Sequence, residues 1–99
     1  MRNFRAQAGQ LLSLEATLHQ ALGLHALTPE MRLLAIVEQR GTVAAREVRS
    51  LSGLSAREYS RSVHLLTERG LIRRLRNPAD RRIHLLQRVA GTEGLRIVR

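Results

Sequence analysis

Apolar residues fall into blocks of helical period along the first two thirds of the chain, and into two short mixed runs near its end. Phe4, Leu11, Leu14, Leu18 and Ala21 recur at three-, four- and seven-residue steps, with Leu12 and Leu22 widening the stripe. That spacing predicts a helix of roughly five turns ending at Gly23. After the short link Leu24–Leu27, Thr28-Pro29-Glu30 opens a second helix. Thr28 is placed to cap it and Pro29 to occupy the first helical position, where a missing N–H costs nothing. Met31, Leu33, Leu34, Ile36 and Val37 give this helix its apolar positions, and it ends before Gly41. Thr42–Ala44 reads either as a short strand or as an extended lead-in to a third helix, Ala45–Leu51, closed by Gly53.

Ser55 begins a fourth helix, and Glu58 three residues later completes a capping box. Glu68-Arg69-Gly70 is its exit, with Gly70 free to take the left-handed backbone that ends a helix. Leu71–Arg76 and Ile83–Val89 then flank Asn77-Pro78-Ala79-Asp80, a tetrapeptide in which Asn, Pro and Asp each favour a turn. Thr92–Arg99 reads as the start of a further helix. The resulting order, α-α-β-α-α-β-β, predicts a mainly helical fold with a small β-hairpin wing, a winged helix-turn-helix. Residues 1–23 form the N-terminal helix and 24–99 the winged helix-turn-helix domain.

Charge sharpens this outline. The 99 residues carry seventeen arginines, no lysine and eight acids, for a formal charge of +9. Residues 1–56 hold six arginines against four acids, whereas residues 57–99 hold eleven against four. A C-terminal half this basic points to a polyanionic partner. The all-arginine choice fits a compositional bias as well as it fits phosphate recognition, so the net charge, and not the choice of arginine over lysine, points to the partner. A hairpin bearing Arg73, Arg74, Arg76, Arg81 and Arg82 is too charged for a packed core.

At 100° per residue, Tyr59, Val63 and Leu66 lie on one side of the fourth helix, and Arg57, Arg61, His64 and Glu68 lie opposite, with Ser60 at the edge. In helix-turn-helix proteins the N-terminal residues of the second helix meet base edges in the major groove. Arginine can donate two hydrogen bonds to guanine there. Arg57 and Arg61 are therefore candidate base readers, and Ser55 and Ser60 candidate phosphate or base contacts. In the wing, Asp80 stands two residues before Arg82, where it can brace the guanidinium in one rotamer. A narrow minor groove attracts an arginine presented in that way. The candidate DNA-binding set is Ser55, Arg57, Ser60, Arg61, His64, Arg74, Arg76, Asn77, Asp80, Arg81 and Arg82.

Several segments together resemble the winged helix-turn-helix regulators of the MarR (multiple-antibiotic-resistance regulator) family. They are LTPEMRLL, GLSAREYSRSVHLLTERGLIRR, the wing tip NPADRR, and GTEGLRI, which is similar to the family's entry into its last helices. The likeness runs from Leu27 to about Leu95. It implies that the helix matching Ser55–Arg69 enters the major groove. It also implies that the arginine matching Arg82, supported by the acid matching Asp80, enters the minor groove. Family members are longer and usually dimerise by interleaving an N-terminal helix with two C-terminal ones. The chain, ending at Arg99, is expected to keep only the first of these. A homodimer contact is accordingly expected through Phe4, Leu11, Leu14, Leu18 and Leu22.

Other chemistry is set aside. Without cysteine there are no disulfides, thiol nucleophiles or thiolate zinc sites. His19, His25, His64 and His84 are scattered. His19 and His25 are six residues apart, off a common helical face, with no carboxylate read at ligand spacing. No glycine-rich phosphate loop or paired catalytic carboxylates occur. Hence no enzyme activity, metal or cofactor is expected. No apolar run approaches the ~20 residues of a membrane span, and MRNFRAQAGQ lacks the apolar stretch of a signal peptide. The expected protein is cytoplasmic, nucleoid-associated and bound to double-stranded DNA as a sequence-specific transcription regulator. The alternative is an architectural or protein-contacting winged helix that recruits or modulates a partner in the transcription machinery.

Overall fold

In the computed structural model, which describes residues 4–89, the second helix is the centre around which the rest is arranged. Helix α1 spans Phe4–Leu22, α2 Pro29–Arg40, α3 Ala45–Ser52 and α4 Ala56–Glu68; strand β1 is Thr42–Ala44, β2 Ile72–Arg76 and β3 His84–Arg88. Arg32 and the five residues 33–37 of α2 are all buried, so α2 has covered surface on every side. It packs against α1, α3 and α4 and reaches β1 and β3. Leu33, Val37, Val48, Ile72 and Leu86 are the largest fully buried side chains, and Phe4 and Leu12 of α1 pack onto the same core.

Local chemistry sets the element boundaries as expected. Thr28 Oγ1 accepts from the Met31 N–H at 3.2 Å, with Pro29 at the first helical position. At α4, Ser55 Oγ accepts from the Glu58 N–H at 3.1 Å, while Glu58 Oε1 accepts from the Ser55 N–H at 3.0 Å. This capping box satisfies two of the orphan donors at the helix start. The Glu58 carboxyl is held below its ordinary value, first by the Ser55 N–H. Gly53, in the turn between α3 and α4, has φ +67°, and Gly70 at the exit of α4 has φ +72°. Both lie in the left-handed region that a side chain disfavours.

The Thr42–Ala44 segment is a strand. It pairs antiparallel with β3, giving a three-stranded sheet of order β1-β3-β2. The hairpin strands are a residue or so shorter than the sequence runs: Leu71 and Val89 fall outside them at the root, and Ile83 falls outside at the tip, which is larger than the four-residue turn expected. Asn77 N donates to Ile83 O at 2.9 Å, closing a loop of seven residues. Inside it two turns follow one another. Asn77 Oδ1 accepts from the Ala79 N–H (2.8 Å) and Asp80 Oδ1 from the Arg82 N–H (3.1 Å). Asn and Asp side chains form such turns by binding the backbone two residues on. At the wing's root Arg88 pairs with Glu38 of α2 at 2.6 Å and donates to Leu71 O. Arg88 thereby leaves the charged surface and fastens the sheet to the helical core. The helix start expected at Thr92–Arg99 and the segment GTEGLRI lie outside the described residues.

Candidate nucleic-acid interface

Two basic elements project side by side from this frame, α4 and the hairpin. On α4, Val63 and Leu66 are buried and Tyr59 is half-buried, while Arg57, Ser60, Arg61, His64 and Glu68 are exposed. The outward stripe read from the sequence is therefore present. His64 Nε2 lies 3.4 Å from Glu68 Oε2, one turn further along the same face. Burial pushes the Tyr59 hydroxyl up, with Arg74 and Arg49 opposing the shift. The Arg49 guanidinium sits 5.8 Å from the centre of the Tyr59 ring, a cation–π distance.

The wing arginines divide into distinct groups. Arg82 makes a two-pronged contact with Asp80: Nε donates to Oδ1 and Nη2 to Oδ2, each at 3.0 Å. Its side chain is otherwise 89% exposed. The pair holds the Asp80 carboxyl below its ordinary value and the Arg82 guanidinium above its own. Arg76 Nη1 donates to Arg81 O at 3.0 Å, bracing the tip from behind, and Arg81 itself is exposed. Strand alternation puts Arg74 on the α4 side of the sheet, where it lines a hollow with Tyr59 and Ser60. Arg73 points the other way and donates to Gln87 Oε1 at 2.7 Å, while Gln87 donates to Thr42 Oγ1. Thus Arg57, Ser60, Arg61, Arg74 and Arg81 present exposed polar surface, joined by His64, which lies beside Glu68, and by Arg82, which is exposed but held by Asp80. Ser55, Arg76, Asn77 and Asp80 are engaged first in building the site.

A helix with a basic outward stripe beside a braced, protruding arginine is the arrangement of a winged helix-turn-helix reading head. The family model for the MarR family matches residues 22–83. The chain belongs to the MarR family. Solved relatives agree in fold across nearly the whole chain. A cysteine-to-serine variant of MarR from E. coli, complexed with operator DNA, matches with TM-score 0.59 at 19% identity, covering 91% of this chain and 61% of that one. The PcaV transcriptional regulator from Streptomyces coelicolor, solved with its natural ligand, matches with TM-score 0.60 at 27% identity, covering 92% and 64%. BpsR of Bordetella bronchiseptica matches with TM-score 0.57 at 22% identity, covering 90% and 72%. Among curated proteins, none matches. This MarR-family chain spans about three fifths of the E. coli MarR chains. The relatives titled by function are transcription regulators, not enzymes.

Three features of the MarR-family chain escaped the sequence reading. The first corrects it. Glu15 is 7% exposed, and its Oε2 meets His25 Nδ1 at 2.5 Å while its Oε1 accepts from the Ala26 and Leu27 N–H groups. His25 in turn stacks on His19, ring centres 4.3 Å apart. A carboxylate therefore does stand against the histidines, because the 23–28 link folds back over α1. Second, Arg32 is 5% exposed and donates from Nη1 to Ser52 O at 2.9 Å, tying α2 to the end of α3. Third, Arg46 and His84 face the wing tip across a hollow that also touches Asp80 and Arg82. Period-two alternation would have placed His84 on the face of Leu86, but nothing in the pattern marks Arg46.

The dimer residues are also divided. Phe4 packs on the chain's own core, and Leu11 and Leu18 are half-buried. Leu14 and Leu22 are 53% and 62% exposed, and Leu24 in the link is 65% exposed. No helix among the described residues is long and apolar enough to cross a membrane.

Proposed function

We propose that this chain is a sequence-specific, duplex-DNA-binding transcription regulator that works at the chromosome in the cytoplasm. On this reading α4 enters the major groove, with Arg57 and Arg61 meeting base edges and Ser55, Ser60 and His64 flanking them. The wing enters the adjacent minor groove through Arg82, aided by Arg81 and Arg74, on a tip shaped by Arg76, Asn77 and Asp80. The observation that carries this is the bidentate Asp80–Arg82 brace on a wing standing beside the exposed arginine stripe of α4. A pre-fixed guanidinium loses less rotamer freedom on binding. The relative bound to operator DNA shares this fold.

The same reading makes the chain a homodimer on a pseudo-palindromic site. Its contact is the outer flank of α1, exposed Leu14 and Leu22 with half-buried Leu18 between them, continued by Leu24. Apolar side chains clustered on one helix flank favour a like surface in a second copy.

Selection of bound duplexes from random DNA, at stated salt, tests the proposal. One recurring two-fold motif is the expected result. Arg57→Ala and Arg61→Ala are expected to lower binding to that motif at least tenfold, with a smaller loss on unrelated duplex. Recovery of no motif, with binding that simply follows charge, would show an architectural role. No binding at all would point to a protein-contacting winged helix.

A further inference from the structure

The two hollows beside the wing adjoin, sharing Ala45 and His84 in their walls, and are treated as the two ends of one trough. The larger, about 430 Å³, lies between the start of α3 and the wing tip and is lined by Arg46, Asp80, Arg82 and His84. The smaller, about 320 Å³, lies between α4 and the sheet and is lined by Tyr59, Ser60, Arg74 and His84. Ala45 and His84 belong to both. The trough therefore runs from the recognition helix to the wing tip, with His84 at its middle.

Its position matters because a major groove and the neighbouring minor groove are separated by one sugar–phosphate strand. If α4 occupies one groove and the wing the other, that strand must cross the surface between them. The surface between them is this trough. We propose that the trough grips that strand, with Arg46 and Arg74 on either side of His84, and that the His84 imidazolium contacts one of its phosphates.

This rests on the two-groove reading above and adds residues and a proton dependence to it. The groups facing His84 are Arg46 from α3, Tyr59 from α4, Arg74 and Arg76 from β2 (Arg76 being the cross-strand partner of His84), and Asp80 and Arg82 from the tip. Asp80 is the one acid in that ring, and both its oxygens are taken by Arg82. His84 has no carboxylate partner among the described residues. An imidazolium there is thus left to a phosphate oxygen from outside. Histidine is the side chain whose charge can change between pH 5 and 8, so a phosphate contact that requires the imidazolium makes binding tighter at the lower end of that range.

The probe is a duplex recovered in the selection, with affinity measured from pH 8 to 5.5 at several salt concentrations. For the parent chain, binding is expected to tighten at least about threefold as pH falls, per bound protomer. The slope of log affinity against log salt should steepen by about 0.9, the value of one additional neutralised phosphate. His84→Gln should remove both changes, His84→Arg should bind tightly at every pH, and His19→Gln, on α1 away from both grooves, should keep the parent's pH and salt dependence. A methylphosphonate at the contacted position, which removes that phosphate's charge, should make parent and His84→Gln alike. Thermal melts check that His84→Gln is folded. If it keeps the parent's pH and salt dependence on a tightly bound duplex, the trough inference is overturned and the two-groove reading stands. If the parent binds no recovered duplex, both are overturned.

Discussion

Removing the Glu15 side chain should cost more stability than its place on an outer helix suggests. Glu15→Ala would strip acceptors from the Ala26 and Leu27 N–H groups, at 2.8 and 2.9 Å, and remove the carboxylate beside His25. Hydrogen bonds to a charged acceptor contribute about 1.5–3 kcal/mol each when shielded. The link is only partly covered, with the His25 side chain 43% exposed, and water can replace some of what is lost. About 2 kcal/mol in all is a reasonable expectation, which lowers Tm by roughly 10 °C in a domain of this size. Circular dichroism at 222 nm, in urea and on heating, measures it. The pH course provides a second check. Burial pushes the Glu15 carboxyl up, but His25 and the N–H groups of Leu27 and Ala26 outweigh it, leaving it below its ordinary value of 4.5. A carboxyl lowered on folding supplies stability that is fully present above its unfolded value and is lost as pH falls through its native one. The parent-minus-Glu15→Gln difference should therefore shrink as pH falls below about 4.5. A Glu15→Ala variant melting within about 3 °C of the parent would refute the reasoning, and so would a difference that grew as pH fell below about 4.5.

Ser55→Ala breaks the capping box of α4 and should cost about 1 kcal/mol in urea unfolding. Gly53→Ala meets no atom within 4 Å, so its cost is the backbone strain of φ +67° alone. That should be about 1 kcal/mol, with no change in m-value. Asp80→Asn should leave the melting temperature unchanged, because the pair is exposed, yet weaken operator binding about threefold by freeing the Arg82 rotamer. Leu14→Glu combined with Leu22→Glu should shift sedimentation from dimer to monomer at micromolar concentration; an unchanged sedimentation coefficient would remove α1 from the dimer contact.

The parts of the fold that were legible in the sequence are those fixed by neighbours. Thr28-Pro29, Ser55 with Glu58, and Gly70 each determine a boundary through contacts a few residues away, and the structure has those contacts. The outward stripe of α4 follows from periodicity alone. Long-range contacts were not legible. Arg32 reads as a polar break in an apolar helix, but α2 is enclosed on all sides and its guanidinium finds Ser52 O twenty residues on. Glu15 and His25 meet only because a link without a pattern turns back. The wing tip was underestimated for a local reason: Asn77 and Asp80 each start a turn, so two turns stand where one was counted. Arg74 and Arg73 are adjacent and chemically identical, and only strand register separates the one facing α4 from the one bound to Gln87.

The short strand β1 has a mechanical consequence. Ala44 ends the strand and is also the residue immediately before α3, so the helix-turn-helix is joined without slack to the sheet whose other edge is the wing. Glu38–Arg88 closes the same frame from α2. The separation between recognition helix and wing tip then behaves like the jaw setting of a calliper. A duplex whose helical twist or minor-groove width departs from that setting must itself deform to be held. DNA stiffness between the contacted bases, as much as their identity, would then decide which sites the chain accepts.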